Sequence, residues 1–205
     1  MARPPRRDNH HQPKTSTWRI IGIDPGTVVT GWGVIEAHGS ALTHLGHGTI
    51  ATAGALGQED RLSLIYRGIE EVIQSYGPHG LSLERVFFAR NAQSALKLGQ
   101  ARGVALLAAA HSGIAVHEYA ASEIKLAVVG YGQATKEQVQ RMVSSLLQLP
   151  GKMAWDASDA LAAAICHLHG QRFQSLIRRT EPDWNSALRR RRWSAASVKK
   201  LVGRL

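Results

Sequence analysis

The chain has 205 residues, 44% hydrophobic and 20% charged, a balance typical of a soluble globular protein with room for one substantial core. One cysteine, Cys166, excludes an internal disulfide framework and a multi-cysteine zinc site; no apolar run reaches the roughly 20 residues that cross a bilayer, and the N-terminus has no secretion-signal pattern, so a cytoplasmic location is expected. The formal net charge of +10 is unevenly placed, with +3 on residues 1–17, +8 on residues 171–205 and −1 on the stretch between. That distribution predicts a flexible basic N-terminal arm (1–17), one folded domain (18–170) and a basic C-terminal extension (171–205), partly helical or disordered. Basic arms on a neutral body suit a polyanion such as nucleic acid, although solubility alone would also account for them.

In chain order, RIIGID, VVTGWGVIE and THLGHGTIA are short apolar or β-branched stretches separated by Gly, Ser and Pro, and predict three neighbouring strands. DRLSLIYRGIEEVIQSY places Leu62, Ile65, Ile69, Val72 and Ile73 at helical spacing and stops at Gly77-Pro78. LSLERVFF reads as a strand carrying Glu84, and Asn91 is a candidate N-cap for a long helix rich in Ala, Gly and Leu through ALKLGQARGVALLAAAHSG. Small apolar residues on more than one face imply close packing against the sheet or a second subunit. IAVHEYA predicts a further strand, Thr135-Lys136-Glu137-Gln138 a capping box opening a helix to Leu147, and Asp156 to His169 the last helix of the domain. Strands alternating with helices after an initial meander predict an α/β fold with a mixed sheet.

Four acids are candidates for chemistry. Asp24 ends the first strand, Glu84 interrupts an apolar one, and Asp156 and Asp159 lie three apart at a helix start, on one face with Cβ atoms roughly 5–6 Å apart. Each also has an ordinary reading: Asp24 as a turn residue before Pro25-Gly26, Glu84 as a solvent-facing side chain beside Arg85, either helix Asp as a cap. Taken as a set, like charges brought together repel unless a cation lies among them, and carboxylates without a Cys or His cluster suit a hard ion such as Mg²⁺. Divalent ions beside a phosphodiester activate water and stabilise the leaving oxygen. Cys166, His167 and His169, by contrast, read as packing or solvent contacts, because adjacent helix positions face apart.

GIDPGTVVTGWGVIE, LERVFFARNAQSALKLGQARGVALLAAA, VVGYGQATKEQVQRMV and WDASDALAAAICH, taken together and in order from about Ile20 to His169, resemble the successive blocks of the RuvC family of bacterial Holliday junction resolvases. The resemblance implies a ribonuclease-H-like α/β fold with a five-stranded mixed sheet flanked by helices, a homodimer, and symmetric nicking of two strands of like polarity in a four-way DNA junction. It implies two Mg²⁺ ions, with Mn²⁺ as a substitute, held by Asp24, Glu84, Asp156 and Asp159, with Asp24 shared between them. It further implies that Lys136 acts at the scissile phosphate and that Phe87, Arg90, Asn91, Lys125 and Lys136 contact DNA. Without the resemblance, Phe87 reads as a core residue and Lys136 as a solvent-facing lysine. RuvA and RuvB, the branch-migration proteins, are the implied partners.

Two other classes share parts of this pattern. Actin-like ATPases and sugar kinases open with a similar strand, Asp and Gly-containing turn, but need further Gly-rich phosphate segments that this chain lacks; stabilisation by ATP would reveal one. A module that binds branched DNA without cutting it would carry the basic arms but has no use for four assembled carboxylates.

Overall fold

The first strand, β1 (Thr17–Asp24), lies at the centre of a five-stranded sheet ordered β3-β2-β1-β4-β5. The computed structural model describes residues 17–52, 57–85 and 92–180, with side chains to residue 173. β2 (Val29–His38) and β3 (Ala41–Ala51) continue from β1 as an antiparallel meander, whereas β4 (Gly80–Glu84) and β5 (Ala115–Tyr119) are parallel to it. The mixed sheet follows from the connections: short turns join the antiparallel strands, while α1 (Gln58–Tyr76) and α2 (Ala92–His111) carry the chain across to parallel neighbours.

Both faces of the sheet are buried, so β1 reads as a nearly continuous apolar run rather than an alternating one. Ile21, Ile23, Val34, Leu81 and Leu83 face α1 and α2; Ile20 and Ile35 face α3 (Ala121–Val129), α4 (Lys136–Leu146) and α5 (Trp155–Thr180). Each fully buried Ile or Leu stabilises the fold by about 2 kcal/mol. α1 buries Ile65, Ile69, Val72 and Ile73 as its spacing predicts, and Gly77 ends it in the left-handed conformation at φ 55°.

Three glycines decide where α5 lies. A Cβ on Gly22 would overlap the carbonyl of Ala160, one on Gly31 the carbonyl of Asp156, and one on Gly33 the side chain of Leu161. Their absence lets the helix rest directly on β1 and β2, and Ser82 Oγ donates to the Ala163 carbonyl at 2.7 Å from β4. α5 therefore begins over the carboxyl end of β1.

The helices depart from the sequence expectation at α3 and α5. α3 is not legible in ASEIKLAVV, which is short, apolar and capped only by the Glu123 carboxylate accepting from the Ala120 N–H at 2.6 Å. α4 closes as expected, at Leu146 with Leu147 as its C-cap and Gln148 following at φ 52°. α5 runs past His169 to Thr180, carried through Gly170, and meets no proline before Pro182. The expected cap at Asn91 lies outside the described residues, and the chain divides after Gly170 into two units.

Candidate active site

Asp24 and Glu84 end adjacent parallel strands. Ile23 pairs with Leu83, and both face α1 and α2, so the two-residue period of a strand turns the next residue on each, Asp24 and Glu84, toward α5. The carboxyl ends of parallel strands are where α/β sheets place their ligands. The Asp24-Pro25-Gly26 turn is held by Thr30, whose buried Oγ1 donates to the Gly26 carbonyl at 2.7 Å and accepts from its N–H at 3.2 Å. A second pin comes from Thr52, whose Oγ1 donates to the Thr27 carbonyl at 2.9 Å.

Across the sheet, Asp24 pairs with Gly31, and Gly31 lies beneath the Asp156 backbone. That stacking brings the first turn of α5, with Asp156 and Asp159, over Asp24. Lys136 enters from the start of α4, where a complete capping box sets the chain: Thr135 Oγ1 accepts from the Gln138 N–H at 3.3 Å, and the Gln138 side chain accepts from the Thr135 N–H at 2.8 Å. From there Lys136 Nζ donates to Asp159 Oδ2 at 3.0 Å.

The electrostatics record this convergence. The Asp24 carboxyl is pushed up to about 7, first by burial and then by the charges of Asp159 and Asp156, with Lys136 opposing the rise and Glu84 adding to it. Glu84 is also raised, first by desolvation and then by Asp159, against the pull of Lys136 and Lys125. Lys136 is held above the ordinary lysine range by its hydrogen bond to Asp159, so it stays cationic. The structure thus brings Asp24, Glu84, Asp156, Asp159 and Lys136 into one electrostatic group, with Lys125 on α3 at its edge.

The donor set is four carboxylates with no imidazole or thiol, which suits a hard divalent cation, and their mutual repulsion is the energy such a cation would relieve. Among the described residues, no three His, Cys, Asp or Glu side chains are gathered closely enough to hold an ion as they stand. Phe87, Arg90 and Asn91 lie outside the described residues.

The glycine track under α5 and the Thr30 and Thr52 pins are site-forming features that motif reading passed over. A signal existed in the alternation of Gly31 and Gly33 within TGWG: two glycines on one face of a strand mark a close backbone approach.

Known proteins resemble this chain in sequence and in fold. The family model described as crossover junction endodeoxyribonuclease RuvC matches residues 20–167. A RuvC from Pelobacter propionicus is 54% identical over 151 residues, covering 74% of this chain and 86% of the relative; one from Geobacter sulfurreducens is 51% identical over 160 residues, covering 78% and 98%. Among solved structures, Thermus thermophilus RuvC in complex with Holliday junction substrate superimposes with a TM-score of 0.73 at 31% identity, covering 77% of this chain and 96% of that one. With its mixed five-stranded sheet and flanking helices, the chain belongs to the RuvC family of crossover junction endodeoxyribonucleases.

Proposed function

We propose that this protein resolves Holliday junctions by hydrolysing one phosphodiester in each of two strands of like polarity, and that Asp24, Glu84, Asp156 and Asp159 hold the divalent cations this requires. The observation that carries the reading is the seating of the α5 N-terminus on Gly31, which sets Asp156 and Asp159 against Asp24 at the carboxyl end of β1. We place two Mg²⁺ ions there, with Mn²⁺ able to substitute. Bound at this site, the ions would supply the positive charge that stabilises phosphoryl oxygens and eases deprotonation of the attacking water.

The remaining chemistry falls to the chain itself. Lys136, with 67% of its side chain exposed, is free to turn from Asp159 toward a phosphate oxygen and stabilise charge developing there. Lys125 contributes positive charge beside Glu84. Thr30 and Thr52 keep the turn after Asp24 rigid, so the carboxylate is aimed before substrate arrives. Phe87, Arg90 and Asn91 complete the proposed DNA contacts.

We assign the domain to residues 18–170 and sequence-independent DNA affinity to the two basic arms. The working form is a homodimer: α2 buries Ala101, Ala105, Ala108 and Ala109 and leaves Leu96 and Leu107 exposed, with Gly99 and Gly103 spaced between them and open. A stripe of this kind accommodates a second copy of the same helix. RuvA and RuvB are the proposed partners and the cytoplasm the proposed location; among the described residues no helix is long and apolar enough to cross a membrane.

The test is cleavage of a synthetic four-way junction with Mg²⁺ and with chelator, comparing the native chain with Asp24→Asn. Paired, symmetric, Mg²⁺-dependent nicks that vanish in the variant while junction binding survives are expected. Tight binding without cutting by either protein, across several junction sequences, would replace this reading with a binding role.

A further inference from the structure

The outer strand β3 carries a second cluster of metal-ligating side chains, remote in character from the carboxylates. In a regular strand, residues three apart point to opposite faces. Here the β2–β3 register shifts: Ile35 pairs with His44 and Val34 with Gly46, so Leu45 is the extra residue of a β-bulge. The bulge cancels the alternation. His44 pairs with Ile35, which faces α3, α4 and α5; His47 pairs with Gly33, whose open side meets Leu161 of α5. Gly46 between them faces the other way, onto Tyr76 of α1. Both histidines thus share one face of the edge strand, half-buried, with ring centroids 4.9 Å apart.

His47 Nδ1 and His44 Nε2 are 2.8 Å apart. Two imidazole nitrogens each about 2.0–2.1 Å from a metal lie about 2.9 Å apart at a right-angled centre and about 3.3 Å apart at a tetrahedral one. The observed separation is that of the hydrogen bond the two rings share, and it lies nearer the right-angled spacing than the tetrahedral one. We propose that His44 and His47 form a two-nitrogen site for a divalent transition ion of square-planar or octahedral preference, Ni²⁺ or Cu²⁺, with its other positions open to water or another oxygen donor. The hydrogen that the two rings share in the metal-free protein moves to an outer nitrogen, leaving both inner lone pairs for the ion. Burial already holds His44 below the ordinary histidine range, which favours the neutral ring that a metal needs. Occupancy would clip the bulge and stiffen an edge strand, and it depends on neither the carboxylate site nor DNA.

The experiment uses the full chain with His10→Gln and His11→Gln, to remove the adjacent histidine pair of the N-terminal arm. Urea unfolding is followed with and without 1 mM Ni²⁺, and again in added His44→Gln or His47→Gln. Because ions held by the carboxylates would also stabilise the fold, the difference between chains is what is read: a gain in the folding equilibrium constant larger by about tenfold or more with both histidines than in either variant, reversed by chelator, is expected for a dissociation constant near 100 µM. No gain, or the same gain with and without the histidines, overturns the site. A larger difference with Zn²⁺ than with Ni²⁺ overturns the right-angle geometry. Should a variant fail to fold, the Cu²⁺ electron paramagnetic resonance spectrum of the chain retaining both histidines decides: two in-plane imidazole nitrogens support the site, one or none refutes it.

Discussion

Asp24→Asn should make the metal-free protein more stable at neutral pH while abolishing its chemistry. The folded carboxyl titrates at about 7, against an ordinary 3.8, through burial and the charges of Asp159 and Asp156. A raised carboxylate pKa means that the folded state binds the proton more tightly than the unfolded chain, so stability falls as pH rises through the window from about 4 to 7. A shift of about three units at about 1.4 kcal/mol each puts the full cost of ionising Asp24 at about 4 kcal/mol above pH 7, and at nothing below pH 4. Asn lacks the titration. The stability difference, variant minus native, should therefore grow with pH by up to about 4 kcal/mol between pH 4 and 8, on top of a pH-independent offset for burying an amide. Urea unfolding in chelator at pH 5, 6, 7 and 8 measures it directly. Added Mg²⁺ should reverse the order by stabilising the native chain more than the variant. A difference that does not change with pH would refute the claim that like-charge repulsion and burial at Asp24 are stored in the fold.

Three further outcomes are expected. Gly31→Ala places a methyl group against the Asp156 backbone, which must shift; a loss of about 1–3 kcal/mol in denaturant unfolding should accompany a fall in junction cleavage larger than any fall in junction binding. His167 is buried, stacked on His117 at 4.0 Å and joined to Tyr119 Oη at 2.7 Å through Nδ1, and burial followed by His117 holds it down at about 4. Its contribution is therefore complete above pH 6.5 and lost as pH falls toward 4, so the native chain should lose about 3 kcal/mol over that window relative to His167→Gln; parallel stability curves would show that the ring does not titrate in the fold. Removing residues 171–205, with their ten Lys/Arg and two acids, should flatten the dependence of log affinity on log salt for junction DNA; an unchanged slope would free the extension of any phosphate contact.

Much of the fold was written in local signals. β1, α1 and the capping box of α4 follow from apolar run length, helical spacing and the Thr135–Gln138 reciprocity, all of which act within a few residues and survive without tertiary context. α3 was illegible because it is only nine residues long and Ala120 stands at its N-cap, leaving the Glu123 carboxylate as the one side chain that marks its start. Asp24, Asp156 and Asp159 were visible as acids at element ends and Glu84 as an acid inside the apolar stretch LSLERVFF, whose strand the structure ends at Glu84; all four were also positions in a family pattern.

What the sequence alone determined is most of the inventory: the five strands, the helices other than α3, and the acids that could serve chemistry. What only the tertiary structure decided is their meeting. Asp24 and Asp156 are 132 positions apart in the chain, and they converge because Gly22, Gly31 and Gly33 remove the side chains that would hold α5 off the sheet. The same holds for His44 and His47, whose shared face depends on a one-residue slip against β2. Close approach and register are properties of pairs of segments, and a pattern read along one segment carries the residues that permit them without stating which partner arrives.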